Sequence, residues 1–350
     1  MNRSYCYCTM FALAIAALAL PRAAAADEPA ELAAPKQEYV DTPTGSDGRR
    51  QGLDWQLSSG ATISFTNNAS VVGQPDGSTL ILGIKLDGLF SYNHAEHEWR
   101  NTVALGAGVA RTPLIDELVK SRDALNVESI YLYHLIPTLG PFARLVLETT
   151  VFRGADVRPE PATYLIQRRD GTTDTRAGDR LALTSPFQPL MLKQSLGAFY
   201  RPVTQDAVNV ELRAGAGGRE TIARGELAIS DDASTPTIEV SELDNVYQLG
   251  AEATAEAWGA LSEKRVLYRA SAEAMIPIAR SALPPGDDRG ALELTNIALV
   301  GALSFKLVEW ASLDYELRAV REPQLIDRFQ VQNNLLLTFG VSTGNLPPAK

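Results

Sequence analysis

Charged residues of both signs recur at even spacing along this chain. Lys85 and Asp87, Arg144 and Glu148, Lys193 and Arg201, and Glu211 and Arg213 open the series. Glu252, Glu256, Arg269, Glu273, Lys306, Asp314, Glu316 and Arg318 continue it. Residues an even number of positions apart share one face of a β-strand, so each run places acids and bases side by side. Such charges cannot sit unpaired in a dry core. They line either a water-filled lumen open to polar solutes or an interior closed by salt bridges.

Other candidate chemistry is sparse. His94 and His97 flank Glu96 in a short connection, a set that could hold a metal, but a turn at a rim leaves such histidines solvated. His134, near a strand end, reads as interfacial. A serine hydrolase needs a base and an orienting carboxylate beside its nucleophile, and no nucleophile elbow is present. Gly215, Gly217 and Gly218 resemble a phosphate loop only superficially, because no helix follows; they read as accommodating lumen crowding or a strand bend. The expectation is of no catalytic residues, no metal and no cofactor.

The long connection 154–191 carries Arg158, Arg168, Arg169, Arg176 and Arg180, just after Arg153. It is the third of the longer loops. In diffusion porins the third loop folds inward and sets the constriction, where arginines suit anionic groups. The alternative is a surface flap whose arginines meet lipopolysaccharide phosphates. The next loop is acidic, with Glu226, Asp231, Asp232, Glu239, Glu242 and Asp244. It lacks EF-hand order and reads as a solvated charge run.

Strands must position these groups. In 100–111, Asn101, Val103, Leu105, Ala107 and Val109 alternate with Arg100, Thr102, Ala104, Gly106 and Gly108. About a dozen segments are expected as strands: 54–69, 78–93, 98–111, 124–136, 142–153, 192–202, 207–219, 245–260, 265–278, 292–308, 312–320 and 329–343. Their outward faces are apolar, as in Leu80, Leu82, Ile84 and Leu86, or Ile297, Leu299, Leu303, Phe305 and Leu307. A Lys or Arg there would cost about 2–4 kcal/mol at mid-bilayer.

Short and long connections alternate. Short ones fall at 94–97, 137–141, 203–206, 261–264 and 309–311; longer ones fall at 70–77, 112–123, 154–191, 220–244 and 279–291. Short periplasmic turns and longer external loops mark an outer-membrane barrel with both termini inside. Trp55, Trp99, Trp258 and Trp310 gather near the short-turn rim, as an aromatic belt at a membrane boundary does. The expected fold is an all-β antiparallel transmembrane barrel of about twelve strands, spanning 54–343.

Residues 1–26 read as a cleavable export signal: Arg3, an apolar core over 10–20, and the alanines 23–26. Residues 27–53 read as a flexible lead-in and 344–350 as a tail. Cys6 and Cys8 both lie inside the signal, so the mature chain has no thiol. No later segment reaches about 18 uninterrupted apolar residues. The formal net charge of -10 argues against a nucleic-acid partner.

The segment from Trp55 to Phe65, the 80–92 and 99–108 pair, the strand start at 123–129 and the segment 195–202 together resemble a bacterial outer-membrane β-barrel family known as a domain of unknown function. The resemblance implies an outer-membrane barrel and no particular activity or site. The last strand runs to about Phe339 with residues 341–350 beyond it, whereas many barrels end on the aromatic residue read by the assembly machinery. The expected role is a channel for small polar solutes. The alternatives are a membrane-embedded lipid hydrolase, or a closed structural or adhesive barrel working through its loops. Expected partners are outer-membrane lipid, lipopolysaccharide and the barrel-assembly machinery.

Overall fold

The computed structural model describes residues 51–68, 77–113, 115–230, 234–283 and 287–345. The expected signal, the lead-in up to residue 50 and the tail from residue 346 lie outside the described residues.

Sixteen strands form among the described residues. The wall begins with β1 (Gly52–Asn68), β2 (Gly77–His94), β3 (His97–Thr112), β4 (Ile115–Tyr133) and β5 (Leu139–Thr149). After β6 (Gly154–Gln167) and β7 (Thr173–Thr184) it resumes with β8 (Leu190–Thr204) and β9 (Asn209–Ile222). After β10 (Leu227–Ile229) and β11 (Ile238–Glu242) it finishes with β12 (Val246–Leu261), β13 (Val266–Arg280), β14 (Asn296–Val308), β15 (Ala311–Glu322) and β16 (Ile326–Gly344).

Twelve of these close into one barrel, in the order β1-β16-β15-β14-β13-β12-β9-β8-β5-β4-β3-β2. Wall neighbours pair antiparallel, including β5 with β8 and β9 with β12 where the chain leaves the wall and returns. Pairing of β1 with β16, from Gln56↔Gly344 to Ala61↔Phe339, seals the ring. Closure removes the open edges that would leave backbone groups unpaired in lipid.

Period-two burial follows the sequence. In β12 each even residue from Val246 to Glu256 is buried and each odd one exposed. Every wall strand turns at least one large apolar side chain outward, among them Ile84, Val103, Leu145, Leu196, Leu249, Leu299 and Leu335. Leaving such a side chain in water rather than burying it costs about 1.5–3 kcal/mol. A band of them around the whole ring belongs in hydrocarbon.

The twelve expected strands are all present, but the outer connections differ from expectation. The expected loop 112–123 is mostly strand, because β4 begins at Ile115 and pairs with β3 through two bulges. Beyond the bilayer both faces are wet, so a strand there needs no apolar alternation to announce it. The long loops hold β6, β7, β10 and β11, which form a separate sheet in the order β10-β11-β6-β7. Its core is Tyr164, Ile166, Leu181, Leu227, Ile238 and Val240.

Leu145→Arg should lower the free energy of folding into lipid vesicles by about 2–4 kcal/mol in a denaturant titration, while Thr173→Arg in the outer sheet leaves it unchanged.

Candidate functional site

The barrel interior gathers its charges into layers. Near the short-turn rim, Glu98 of β3 accepts from two guanidinium nitrogens of Arg201 of β8, at 2.9 and 3.0 Å. Its carboxylate also meets His134 Nε2 at 2.7 Å. Glu211, fully buried, accepts from Arg100 at 3.0 Å and Arg201 at 2.7 Å, and pairs with Arg213 at 3.2 Å. Arg213 continues to Glu256 at 3.2 Å, and Arg269 pairs with the same carboxylate.

Deeper in, Arg144 of β5 donates to Glu128 at 2.5 Å and to Glu273 of β13 at 3.1 Å, with Glu252 at 3.6 Å. Arg219 joins Glu273 at 3.1 Å to Glu322 at 2.6 Å. Glu148 of β5 holds Lys193 at 2.9 Å and Arg318 of β15 at 3.2 Å. Strands β5 and β15 stand opposite each other in the ring of twelve, so this contact crosses the lumen. Arg122 of β4 likewise reaches Glu316 of β15 at 3.4 Å, and Lys85 pairs with Asp87 at 3.1 Å.

Glycines make room for these long side chains. A Cβ on Gly106 would lie 2.7 Å from Arg122 Nε, and one on Gly217 would lie 2.6 Å from Glu252 Oε2. Gly197 and Gly215 face each other across β8 and β9, where an added Cβ would strike the opposite backbone at 2.1 and 2.0 Å. The glycine run 215–218 is thus a wall thinned for side chains and strand contact.

Of the charged residues expected inward, Lys85, Asp87, Arg144, Glu148, Lys193, Arg201, Glu211, Arg213, Glu252, Glu256, Arg269, Glu273, Asp314, Glu316 and Arg318 share the inner face. Lys306 does not: it is exposed at the rim, where a bulge between Lys306 and Val308 ends the ladder. Asp314 accepts from Ser304 and Ser312 at 2.5 and 3.1 Å. His134 is buried in the network rather than interfacial, and His94 and His97 are exposed at the rim. Among the tryptophans, Trp99 and Trp310 face outward and Trp310 stacks on Phe339. Trp55 sits partly exposed opposite Phe90. Trp258 departs from the expected belt: it is buried on the inner face of β12, two residues along the strand from Glu256. Sequence reasoning passed over Glu98, Glu128, Arg122, Arg219 and Glu322; the parity of Glu98 with Arg100 and Thr102 was the available signal.

The arginine loop and the acidic loop are each other's partners. β11 lies parallel to β6, with Ile238↔Tyr164 in register. Arg168 pairs with Asp174 at 2.9 Å and approaches Glu242 at 3.8 Å, while Arg169 meets Asp244 at 2.9 Å. Arg158 binds Asp156, and Arg180 binds Glu117 on the outer extension of β4. Arg176 is exposed on β7. These contacts belong to the separate sheet that the two long loops form. Within the sheet, Tyr164 donates to Asp156 at 2.8 Å. Burial, together with that carboxylate, pushes its phenol up to about 12.

Sheet and barrel mouth border a partly open cavity of about 230 Å³. Val157, Leu183, Leu227 and Ile229 come from the sheet side, and Glu148, Arg318 and Glu322 from the lumen.

No protein-family model matches this chain, and no curated protein matches it. Solved structures match it at low similarity. An outer membrane channel from Pseudomonas putida F1 is 12% identical, with 88% of this chain and 100% of that one covered and a TM-score of 0.37. The P. putida toluene transporter TodX is 10% identical, with 87% and 92% covered and a TM-score of 0.35. The translocator domain of the autotransporter NalP from Neisseria meningitidis is 9% identical, with 83% and 86% covered and a TM-score of 0.32. The class rests on the wall itself. A closed antiparallel ring, apolar outside and ion-paired inside, defines a membrane-spanning β-barrel.

Glu211→Gln should destabilise the folded barrel by about 3–5 kcal/mol, since it strips the carboxylate from three buried guanidinium groups; equilibrium unfolding in urea measures it.

Proposed function

We propose that this protein is an outer-membrane β-barrel serving as a passage for small polar solutes, and that it rests closed, barred by its own ion pairs. The observation that carries this reading is the Arg318–Glu148 pair, which joins opposite walls at 3.2 Å and shares its carboxylate with Lys193. An apolar plug would have to be dehydrated and repacked to open. A plug of charged side chains parts more readily, because water and a polar solute can replace the partners it loses. The mixture of signs favours neither cations nor anions strongly.

The short turns face the periplasm in this reading and the β6–β7–β10–β11 sheet faces outward, as in barrels whose external loops are the longer ones. Exposed Arg169, Arg180 and Arg224 then stand where lipopolysaccharide phosphates lie, and the barrel-assembly machinery inserts the folded wall. The separately cored outer sheet favours one second reading, a permanently sealed barrel that works through that sheet.

Single-channel recording in planar bilayers distinguishes the two. The wild-type protein should show rare, small openings, and the double variant Glu148→Gln/Arg318→Gln should show larger and more frequent ones. Silence from both, in samples that retain heat-modifiable gel mobility, would replace the passage with the sealed barrel.

A further inference from the structure

The cavity between the outer sheet and the barrel mouth has the composition of a ligand site. Its volume is about 230 Å³. For scale, an engineered apolar cavity of about 150 Å³ admits benzene, so a single ring with a short substituent fits. Val157, Leu183, Leu227 and Ile229 face it from the sheet, and Met191 and Val320 from the barrel wall. Polar and charged residues, among them Arg122, Glu148, Arg318 and Glu322, line the rest of it. It thus offers an apolar side and a polar side, as small-molecule sites combine apolar surface with placed polar groups.

Several lining residues carry a buried polar atom with no hydrogen-bond partner among the described residues, Arg122 at its Nε and, on the sheet and wall sides, Asp156 and Thr221. Asp156 and Thr221 both line the cavity and are 3% and 1% exposed. Asp156 Oδ1 and Thr221 Oγ1 have no hydrogen-bond partner among the described residues. Buried polar atoms are almost always paired, and each exception calls for a reason. The other Asp156 oxygen is already held by Tyr164 at 2.8 Å and Arg158 at 2.9 Å. Arg158 balances its charge, so what Asp156 lacks is a neutral donor and not a cation. A threonine hydroxyl can either donate or accept.

We propose that this cavity binds a small, largely apolar molecule bearing a hydroxyl group, its apolar body against the sheet and its hydroxyl toward Asp156 and Thr221. The site is formed by the resting structure, so it does not depend on whether the lumen conducts.

Calorimetric titration of the purified full chain in detergent tests this, with 4-ethylphenol as the probe and empty micelles as the blank. The comparison ligand, 4-ethylanisole, keeps the ring and the oxygen but cannot donate. The wild-type protein should bind the phenol saturably and the anisole about tenfold more weakly, the loss of one hydrogen bond to a charged group. Leu183→Trp, which fills the cavity, should abolish binding of both while gel mobility stays heat-modifiable. Heat no greater than the micelle blank would overturn the site. Equal affinity for the two ligands would overturn the hydroxyl assignment, and undiminished binding by Leu183→Trp would move the ligand elsewhere.

Discussion

Mutual neutralisation of charge inside the ring is the constraint on which the rest of the barrel depends. An isolated carboxylate or guanidinium buried away from water costs several kcal/mol, and the inner face carries many of both. Glu211 meets this cost by gathering Arg100, Arg201 and Arg213 from β3, β8 and β9. Such a contact exists only when the wall has closed at the right register. The network is therefore a poor measure of stability but a strict reporter of correct assembly, since a one-residue slip would turn each of these charges toward lipid.

The small residues on the inner wall follow from the same constraint. Long side chains reaching across a narrow lumen need wall positions without bulk, and Gly106 and Gly217 supply them beneath Arg122 and Glu252. The outer sheet extends the logic beyond the bilayer. Its arginines and acids neutralise each other across β6 and β11, which leaves an apolar underside over a charged mouth. The cavity lies where these two regimes meet.

Much of the wall was legible in the chain. Twelve strands could be drawn from period-two alternation, because hydrocarbon on one side and polar neighbours on the other force each residue to declare its face. Inward placement of Glu252, Glu256 and Glu273 followed from that parity. Legibility failed where the forcing environment ends. Past the bilayer, β4 begins among Ile115, Glu117 and Lys120 with no alternation to read, and the four strands of the outer sheet were hidden in two charged loops. Trp258 misled for a related reason: its type fits a membrane belt, but its parity with Glu256 sends it inside. Lys306 shows the reverse, with the right parity but a bulge that carries it out to the rim.

The sequence by itself determined which residues face lipid and which face inward, because that choice depends only on the period of a strand and the medium on each side. Only the tertiary structure decided what the inward charges do. Glu148 and Arg318 lie 170 positions apart, and nothing local marks them as partners. Their meeting across the lumen, like that of Arg169 with Asp244 outside it, is set by ring closure, strand order and register. Those are properties of the whole chain, and they turn an evenly charged face into a cross-linked one.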